Sequence, residues 1–200
     1  MPYSQFTSIG KAKEAFGLKA LEGGRFLPST ESIVPSAALT AYLEESLPLV
    51  ALASEKARSE GIIYPILLEV RRILNRQISL FSGEDFTVDE TVGLNGICDF
   101  LLSRSSEVLE IEAPAIVIVE AKKADLRTGF GQCIAQMVAA QQFNAAKNYP
   151  ISTIYGSVSN GTQWRFLKLE GNTVTIDLTD YPLPPIEQIL GMLVWMVQSG

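Results

Sequence analysis

Charged side chains interrupt two apolar segments of this 200-residue chain. One segment, residues 115–121, reads AIVIVEA and is followed directly by Lys122. Because side chains alternate between the two faces of a strand, Glu120 and Lys122 share a face and are neighbours. A carboxylate and an ammonium at the end of a buried strand are costly unless each is paired or binds a metal. The pair therefore indicates either a strand-end salt bridge or part of a cation site.

The second segment, residues 96–102, reads GICDFLL and contains Asp99, 21 positions before Glu120. Taken alone, Asp99 is explained by backbone donors at a bend. If the two segments are adjacent strands, however, Asp99 and Glu120 converge and offer oxygen ligands to a hard cation. Lys122 then lies beside them, where its charge can stabilise an anion or orient a nucleophilic water.

The composition excludes several other kinds of site. The chain has no histidine, so imidazole catalysis and histidine-ligated metals are impossible. Its two cysteines cannot form a four-thiolate zinc site and are predicted to be buried thiols. A metal would need oxygen ligands, which favours Mg²⁺, Mn²⁺ or Ca²⁺. The net charge of −6 means that any contact with nucleic acid depends on a local basic patch.

Hydrophobic periodicity predicts the elements that position these residues. A helical pattern covers residues 47–75, where Gly61 and Pro65 are expected to divide or kink the helix. Strands are predicted at 78–81 and 85–88, 96–102, and 115–121, followed by a helix over 127–148. Further strands are predicted at 152–157, 163–169 and 172–178. The predicted core order is α-β-β-β-α-β in a single α/β domain.

The two ends of the chain are interpreted as additions to that core. Residues 1–53 are taken as an N-terminal extension with a short helix at 36–45, residues 54–178 as the core, and 179–200 as a C-terminal helical part. The last helix, at 186–198, is expected to cap the core or to form a homodimer contact through an apolar face. The residues of that face are Leu190, Leu193, Val194, Trp195 and Val197.

The start of the chain lacks a signal-peptide pattern, and no apolar run reaches the roughly 18 residues that cross a bilayer. We therefore expect a cytoplasmic protein with no membrane partner.

An apolar strand with Asp99, a gap of about twenty residues and a second apolar strand ending in Glu120-Ala121-Lys122 resembles the PD-(D/E)xK nuclease superfamily. The predicted element order is also similar, and a type I restriction branch is left open. The resemblance implies a restriction-endonuclease-like fold with a mixed central sheet, and metal-dependent hydrolysis of nucleic acid. It implies that Asp99, Glu120 and the Ala121 carbonyl bind Mg²⁺ or Mn²⁺ and that Lys122 activates the attacking water. The chain departs from the family pattern at Cys98, where proline is frequent.

Many members of this superfamily add an acid from the first helix and a glutamine from the second. On an unbroken helix Glu60 borders the face turned to the sheet, so it is the first choice, with Glu55 and Glu69 left open. Gln132 and Gln136 are spaced i, i+4 and share a helix face. Solvated surface residues are the alternative explanation for all five.

A local basic rim is the expected contact for phosphate. Its candidate residues are Lys123, Arg127, Lys147, Arg165 and Lys168. The predicted function is thus a metal-dependent nuclease acting on nucleic acid, with DNA as the expected partner. The alternative is a catalytically inactive nuclease-fold module that binds or assembles with other molecules.

Overall fold

A mixed sheet of eight strands forms the centre of the computed structural model, which describes residues 2–200. The strand order is β1-β7-β6-β5-β4-β3-β2, and β8 pairs with β6. The strands are β1 (Lys19–Glu22), β2 (Ser79–Asp85), β3 (Ile97–Ser103), β4 (Ala115–Ala121), β5 (Thr153–Ser159), β6 (Gln163–Glu170), β7 (Thr173–Ile176) and β8 (Tyr181–Pro182). The pairs β1–β7 and β4–β5 are parallel, and the other pairs are antiparallel. The predicted α/β class and mixed sheet are therefore confirmed.

Helices cover both faces of this sheet. They are α1 (Ile9–Phe16), α2 (Ala37–Val50), α3 (Glu55–Arg58), α4 (Tyr64–Ile73), α5 (Arg127–Ala146) and α6 (Glu187–Ser199). One apolar core lies between the sheet and α1 and α5, and the other lies between the sheet and α2, α4 and α6. Strand β4 is buried along its whole length. Its run of β-branched residues suits a central strand that is covered on both faces.

The helical pattern predicted over 47–75 is divided into several pieces. Helix α2 ends at Val50, α3 begins at Glu55, and a π-helical turn over Ser59–Ile63 leads into α4. Gly61 allows the close packing of this turn, because a Cβ there would lie 3.1 Å from a methyl group of Val50. Pro65 lies in the first turn of α4, where its missing N–H is tolerated. The predicted interruption at Gly61 and Pro65 is confirmed.

The region predicted as an N-terminal extension of the domain contributes a strand to the sheet and side chains to its core. Strand β1 pairs in parallel with β7 and so forms an edge of the same sheet. Tyr3 and Phe6 are buried against the α5 side. The sequence prediction missed α1 and β1, which have only eight and four residues.

Helix α6 is buried in the core on the α4 side. Leu190 and Leu193 are fully buried, and Trp195 packs edge-on against Tyr155 with ring centroids 5.5 Å apart. The predicted dimer surface on this helix is therefore wrong, because its apolar face already contacts the sheet, and the helix caps the core. Although α6 is apolar, neither it nor any other helix in residues 2–200 has the length and apolarity to span a membrane.

Candidate functional site

Asp99 and Glu120 meet at one end of the β3–β4 pair. In this antiparallel pair Phe100 is the partner of Val119, so continuing the register by one residue sets Asp99 opposite Glu120. The Asp99 carboxylate accepts a hydrogen bond of 2.8 Å from the backbone N–H of Ala121. Two carboxyl groups that are distant in sequence thus converge at the carboxyl end of β4.

Glu120 is fully buried and only half satisfied. Its Oε1 atom lies 2.5 Å from Nζ of Lys122. Its Oε2 atom has no hydrogen-bond partner within residues 2–200. Buried polar atoms almost always have a partner, since leaving one without a partner costs free energy. The Oε2 atom is therefore available to a further ligand.

Burial sets the protonation of this cluster. Burial, followed by the negative charge of Asp99, raises the pKa of Glu120 to about 8 despite the opposing effect of Lys122. Burial also raises the pKa of Asp99, against the hydrogen bond from Ala121. A cation at this point would favour the ionised form of both carboxyl groups. Without a cation, the carboxyl group of Glu120 ionises less readily than that of an exposed glutamate.

Lys122 is enclosed between β4 and α5. Its backbone N–H donates to the carbonyl of Ser159, which extends the β4–β5 pairing past the end of β4. Gly129, in the first turn of α5, lies directly over its side chain, since a Cβ there would approach Lys122 Cγ to 3.0 Å. Burial lowers the pKa of Lys122. The charge and hydrogen bond of Glu120, together with the charges of Asp99 and Glu55, outweigh burial, so the pKa is raised overall. The ammonium group is therefore held charged.

Helix α5 brings one of the two predicted glutamines to the carboxyl group. Gln136 is fully buried, and its amide acts on Glu120 by lowering the pKa of that group. Neither polar atom of the amide makes a hydrogen bond of normal geometry within residues 2–200. Gln132 is half-buried. The structure thus favours Gln136 over Gln132 as the glutamine of the site.

The two cysteines line the buried side of the site, which the sequence analysis missed. Burial, followed by the charge of Glu120, raises the pKa of both Cys98 and Cys133. Both thiols are free and buried, as predicted.

Of the three helix acids, Glu55 is the one whose charge acts on the cluster. It lies in the first turn of α3, is exposed, and raises the pKa of both Asp99 and Lys122 after larger effects. The sequence feature that could have indicated Glu55 is Ser54. Ser54 is the N-cap residue of α3, so Glu55 is the first residue of that helix.

The other two acids have different surroundings. Glu60, the first choice from the sequence, is 69% exposed and lies 3.7 Å from Lys56. Glu69 is buried, where it accepts hydrogen bonds from Arg72 and from Ser36. The structure therefore favours Glu55 over Glu60, because the π-helical turn changes the helical phase on which the choice of Glu60 depended.

The predicted basic rim is divided between two ends of the molecule. Lys168 pairs with Tyr155 near the start of β5, and Lys147 follows the last residue of α5, so both are remote from Ala121. Arg127 and Arg165 are nearer the site but form ion pairs, with Asp125 at 3.0 Å and Asp180 at 2.7 Å respectively. Lys123 is exposed and has no ion pair within residues 2–200. Lys123 is thus the rim cation most available to a phosphate.

Asp99 and Glu120 are not joined by a third metal-binding side chain. Within residues 2–200, no three Asp, Glu, Cys or His residues form a group that could hold one ion. Backbone carbonyls, such as that of Ala121, and water would have to complete any coordination shell.

No family model, curated protein or solved structure matches this chain. The chemistry of the site has to be inferred from its own residues.

Proposed function

We propose that this protein is a metal-dependent nuclease that hydrolyses phosphodiester bonds of nucleic acid, most simply DNA, on a restriction-endonuclease-like core. The observation that carries the proposal is the convergence of Asp99, Glu120 and Lys122 at the ends of two adjacent strands. The order of α4, β2, β3, β4, α5 and β5 supports the same proposal, since it matches the helix, three strands, helix and strand of that core.

The donor set fits a hard divalent cation. Asp99 and Glu120 would hold Mg²⁺ or Mn²⁺ with the carbonyl oxygen of Ala121, and the Oε2 atom of Glu120 has no other partner in residues 2–200. When bound, the ion polarises a phosphate and lowers the pKa of a water molecule. This chemistry needs no histidine, in agreement with the composition of the chain.

The side chains around the carboxyl groups have distinct roles in this proposal. Lys122, which is held by Glu120 at 2.5 Å, stabilises negative charge as it develops on the phosphate and orients the attacking water. Gln136 lies beside Glu120 and lowers the pKa of its carboxyl group, which favours the ionised form that a cation needs. Glu55 adds negative charge at the exposed side of the cluster, which raises the local concentration of cations.

Replacement of Lys122 tests the proposal. An ammonium group is not a metal ligand, so Lys122→Ala should leave Mn²⁺ affinity equal or higher while it removes cleavage. We expect the cleavage rate to fall at least tenfold, which corresponds to about 1.4 kcal/mol of activation free energy. The measurement is cleavage of plasmid and single-stranded DNA with Mn²⁺, Mg²⁺ or EDTA, combined with calorimetry of Mn²⁺ binding.

The matched control is Lys147→Ala, because Lys147 is an exposed lysine at the end of α5 that is remote from the site. It should keep most of the activity of the wild type. Wild-type cleavage rates in Lys122→Ala would reduce Lys122 to a salt-bridge partner of Glu120 and remove the main support for a nuclease.

A nuclease-fold module without catalytic activity is the second candidate function. Two observations favour it. Arg127 and Arg165, two cations near the site, are already paired with carboxylates, and the chain has a net charge of −6. In that case the Glu120–Lys122 pair is a buried salt bridge only. Absence of cleavage under all metal conditions, together with retained binding of nucleic acid, would establish the module and exclude the enzyme.

A further inference from the structure

A groove between α2 and α4 carries a cluster of arginines that the candidate site does not use. Its volume is about 540 Å³. We call it the α2–α4 groove and define it by Tyr42 on α2, Tyr64, Leu68 and Arg71 on α4, and Arg76 just beyond α4. Arg72, Glu60 and Glu69 also line it. The groove therefore has three positive and two negative side chains in a chain whose net charge is −6.

The negative charges of the groove are already compensated. Both oxygens of Glu69 accept hydrogen bonds from Arg72, at 2.7 and 2.8 Å. Glu60 lies 3.7 Å from Lys56. These pairs leave Arg71 and Arg76 as the groove cations without a carboxylate partner in residues 2–200, so an anionic ligand would meet an excess of positive charge.

The two remaining arginines are placed at one end of the groove. Arg71 donates a hydrogen bond of 2.9 Å from Nε to the carbonyl of Ile78, which fixes its guanidinium group while leaving its other N–H groups available. The guanidinium group of Arg76 is exposed and makes no hydrogen bond or ion pair within residues 2–200. Planar guanidinium groups suit the geometry of phosphate.

The rest of the groove is aromatic and aliphatic. Tyr42 is 45% exposed and Tyr64 is 38% exposed, and Leu68 lies on the same surface. Exposed aromatic rings next to cations are the surface that binds unpaired bases, because every base can stack on a ring while its phosphate contacts an arginine.

The groove extends toward the sheet on its α4 side. Glu60 and Tyr64 line both the groove and a smaller cavity of about 220 Å³ that reaches Phe100 of β3. Phe100 packs on the α4 side of the sheet, whereas Asp99, the residue before it in β3, shares the α5 face with Leu101. From Glu60 to Arg71 the helical segment rises about 16 Å at roughly 1.5 Å per residue.

We propose that the α2–α4 groove binds a short single-stranded segment of nucleic acid, on the face of the sheet opposite to Asp99 and Glu120. Arg71 and Arg76 contact phosphates, and Tyr42 and Tyr64 stack on bases. The inference rests on the proposed nuclease function and adds that the substrate includes an unpaired strand. A duplex does not expose the faces of its bases to these rings, and an acidic peptide offers the arginines its charge but has no rings to stack.

Binding measured without cleavage tests the inference. The probe is a fluorescein-labelled 15-nucleotide oligo-dT, and anisotropy is recorded with the full chain in EDTA. Arg76→Gln should weaken binding at least threefold and lower the slope of log Kd against log salt concentration by about 0.7. Tyr42→Ala should weaken binding at least fivefold, the lower end of the effect of losing one stacked base.

Matched exposed residues away from the groove serve as controls. Lys13→Gln and Tyr149→Ala should bind oligo-dT as the wild type does, and melting curves should show that all four variants fold. Unchanged binding in both groove variants would overturn the inference. Equal competition by a 15-base-pair duplex or by poly-glutamate would also overturn it, because the groove would then recognise charge alone.

The outcomes for the groove and for the nuclease are separate. If Lys122→Ala abolishes cleavage while the groove variants bind normally, the nuclease stands and the groove inference fails. If the groove variants lose binding while the wild type cleaves nothing, the groove is a binding site of an inactive module.

Discussion

Two buried glutamates, Glu69 and Glu120, differ in their hydrogen-bond partners and therefore in their pKa values. Glu69 is 5% exposed, its two oxygens accept hydrogen bonds from Ser36 and Arg72, and its pKa is lowered, chiefly by Arg72. Glu120 is fully buried with one partner, and burial raises its pKa to about 8. The ionised carboxylate of Glu69 therefore stabilises the fold. The carboxyl group of Glu120 lacks a ligand that would stabilise its ionised form.

Glu120→Gln tests this difference at the level of the residue. We expect the variant in EDTA at pH 8 to stay close to the wild type in stability, because the amide oxygen can still accept from Lys122 while a carboxyl group that is costly to ionise when buried is removed. Added Mn²⁺ should raise the melting temperature of the wild type by a few degrees and leave that of the variant unchanged. Thermal denaturation with and without Mn²⁺ measures both effects.

Asp99→Asn is the companion variant, since Asp99 is the other expected carboxylate ligand. It should also lose most of the Mn²⁺ response. If Glu120→Gln retained the full increase in melting temperature, the ion would bind elsewhere and the proposed metal site would be wrong.

At the level of elements, Glu69 joins α2 to α4. It lies on α4 and accepts hydrogen bonds from the backbone N–H and the hydroxyl of Ser36, the N-cap residue of α2. A negative charge at a helix N-terminus is also favourable. The contact therefore holds one wall of the α2–α4 groove against the other.

Glu69→Gln should weaken this contact in a pH-dependent way. The pKa of Glu69 is lower in the folded chain than in the unfolded chain, so its stabilisation is complete above the unfolded pKa and is lost as pH falls through the folded pKa. We expect the variant to lose about 1–2 kcal/mol of unfolding free energy at pH 7. The loss should disappear in strong acid, as measured by urea denaturation across pH.

Glu60→Gln is the matched control on the same helical segment. Its single ion pair is loose and exposed, so the expected change is within about 0.5 kcal/mol. An equal loss for both variants, or a loss at Glu69 that does not vary with pH, would contradict the assigned role of Glu69.

At the level of the whole molecule, α6 belongs to the interior of one chain. Leu193 is fully buried among residues of α4, β4 and β5. Leu193→Asp should therefore destabilise the protein by more than about 3 kcal/mol, because an unpaired carboxylate would be buried. A dimer contact would predict a different outcome, namely dissociation into folded monomers.

Leu52→Asp provides the comparison, since Leu52 is 94% exposed and the change should be nearly neutral. Urea denaturation and sedimentation together distinguish the two cases. A folded Leu193→Asp monomer formed from a wild-type dimer would place α6 at an interface after all. A dimer formed through a different surface remains a prediction.

Local patterns predicted the central strands and the central pair of the site, although they missed β1 and β8. Residues 115–121 were predicted as a strand with the bounds that β4 has, because a continuous β-branched run specifies a central strand by itself. The two-residue alternation of a strand made Glu120 and Lys122 neighbours without any knowledge of the fold. The approach of Asp99 to Glu120 needed only one further assumption, that β3 and β4 are adjacent.

Tertiary structure alone decided which other residues join that pair. The choice of Glu55 over Glu60 depends on the π-helical turn over Ser59–Ile63, which forms where this segment packs against α2. The choice of Gln136 over Gln132 depends on how α5 rests on β4 and β5 through Gly129. The burial of α6 depends on its contacts with α4 and β4. These contacts join residues far apart in the chain, and a helix has the same local pattern whichever partner covers its apolar face.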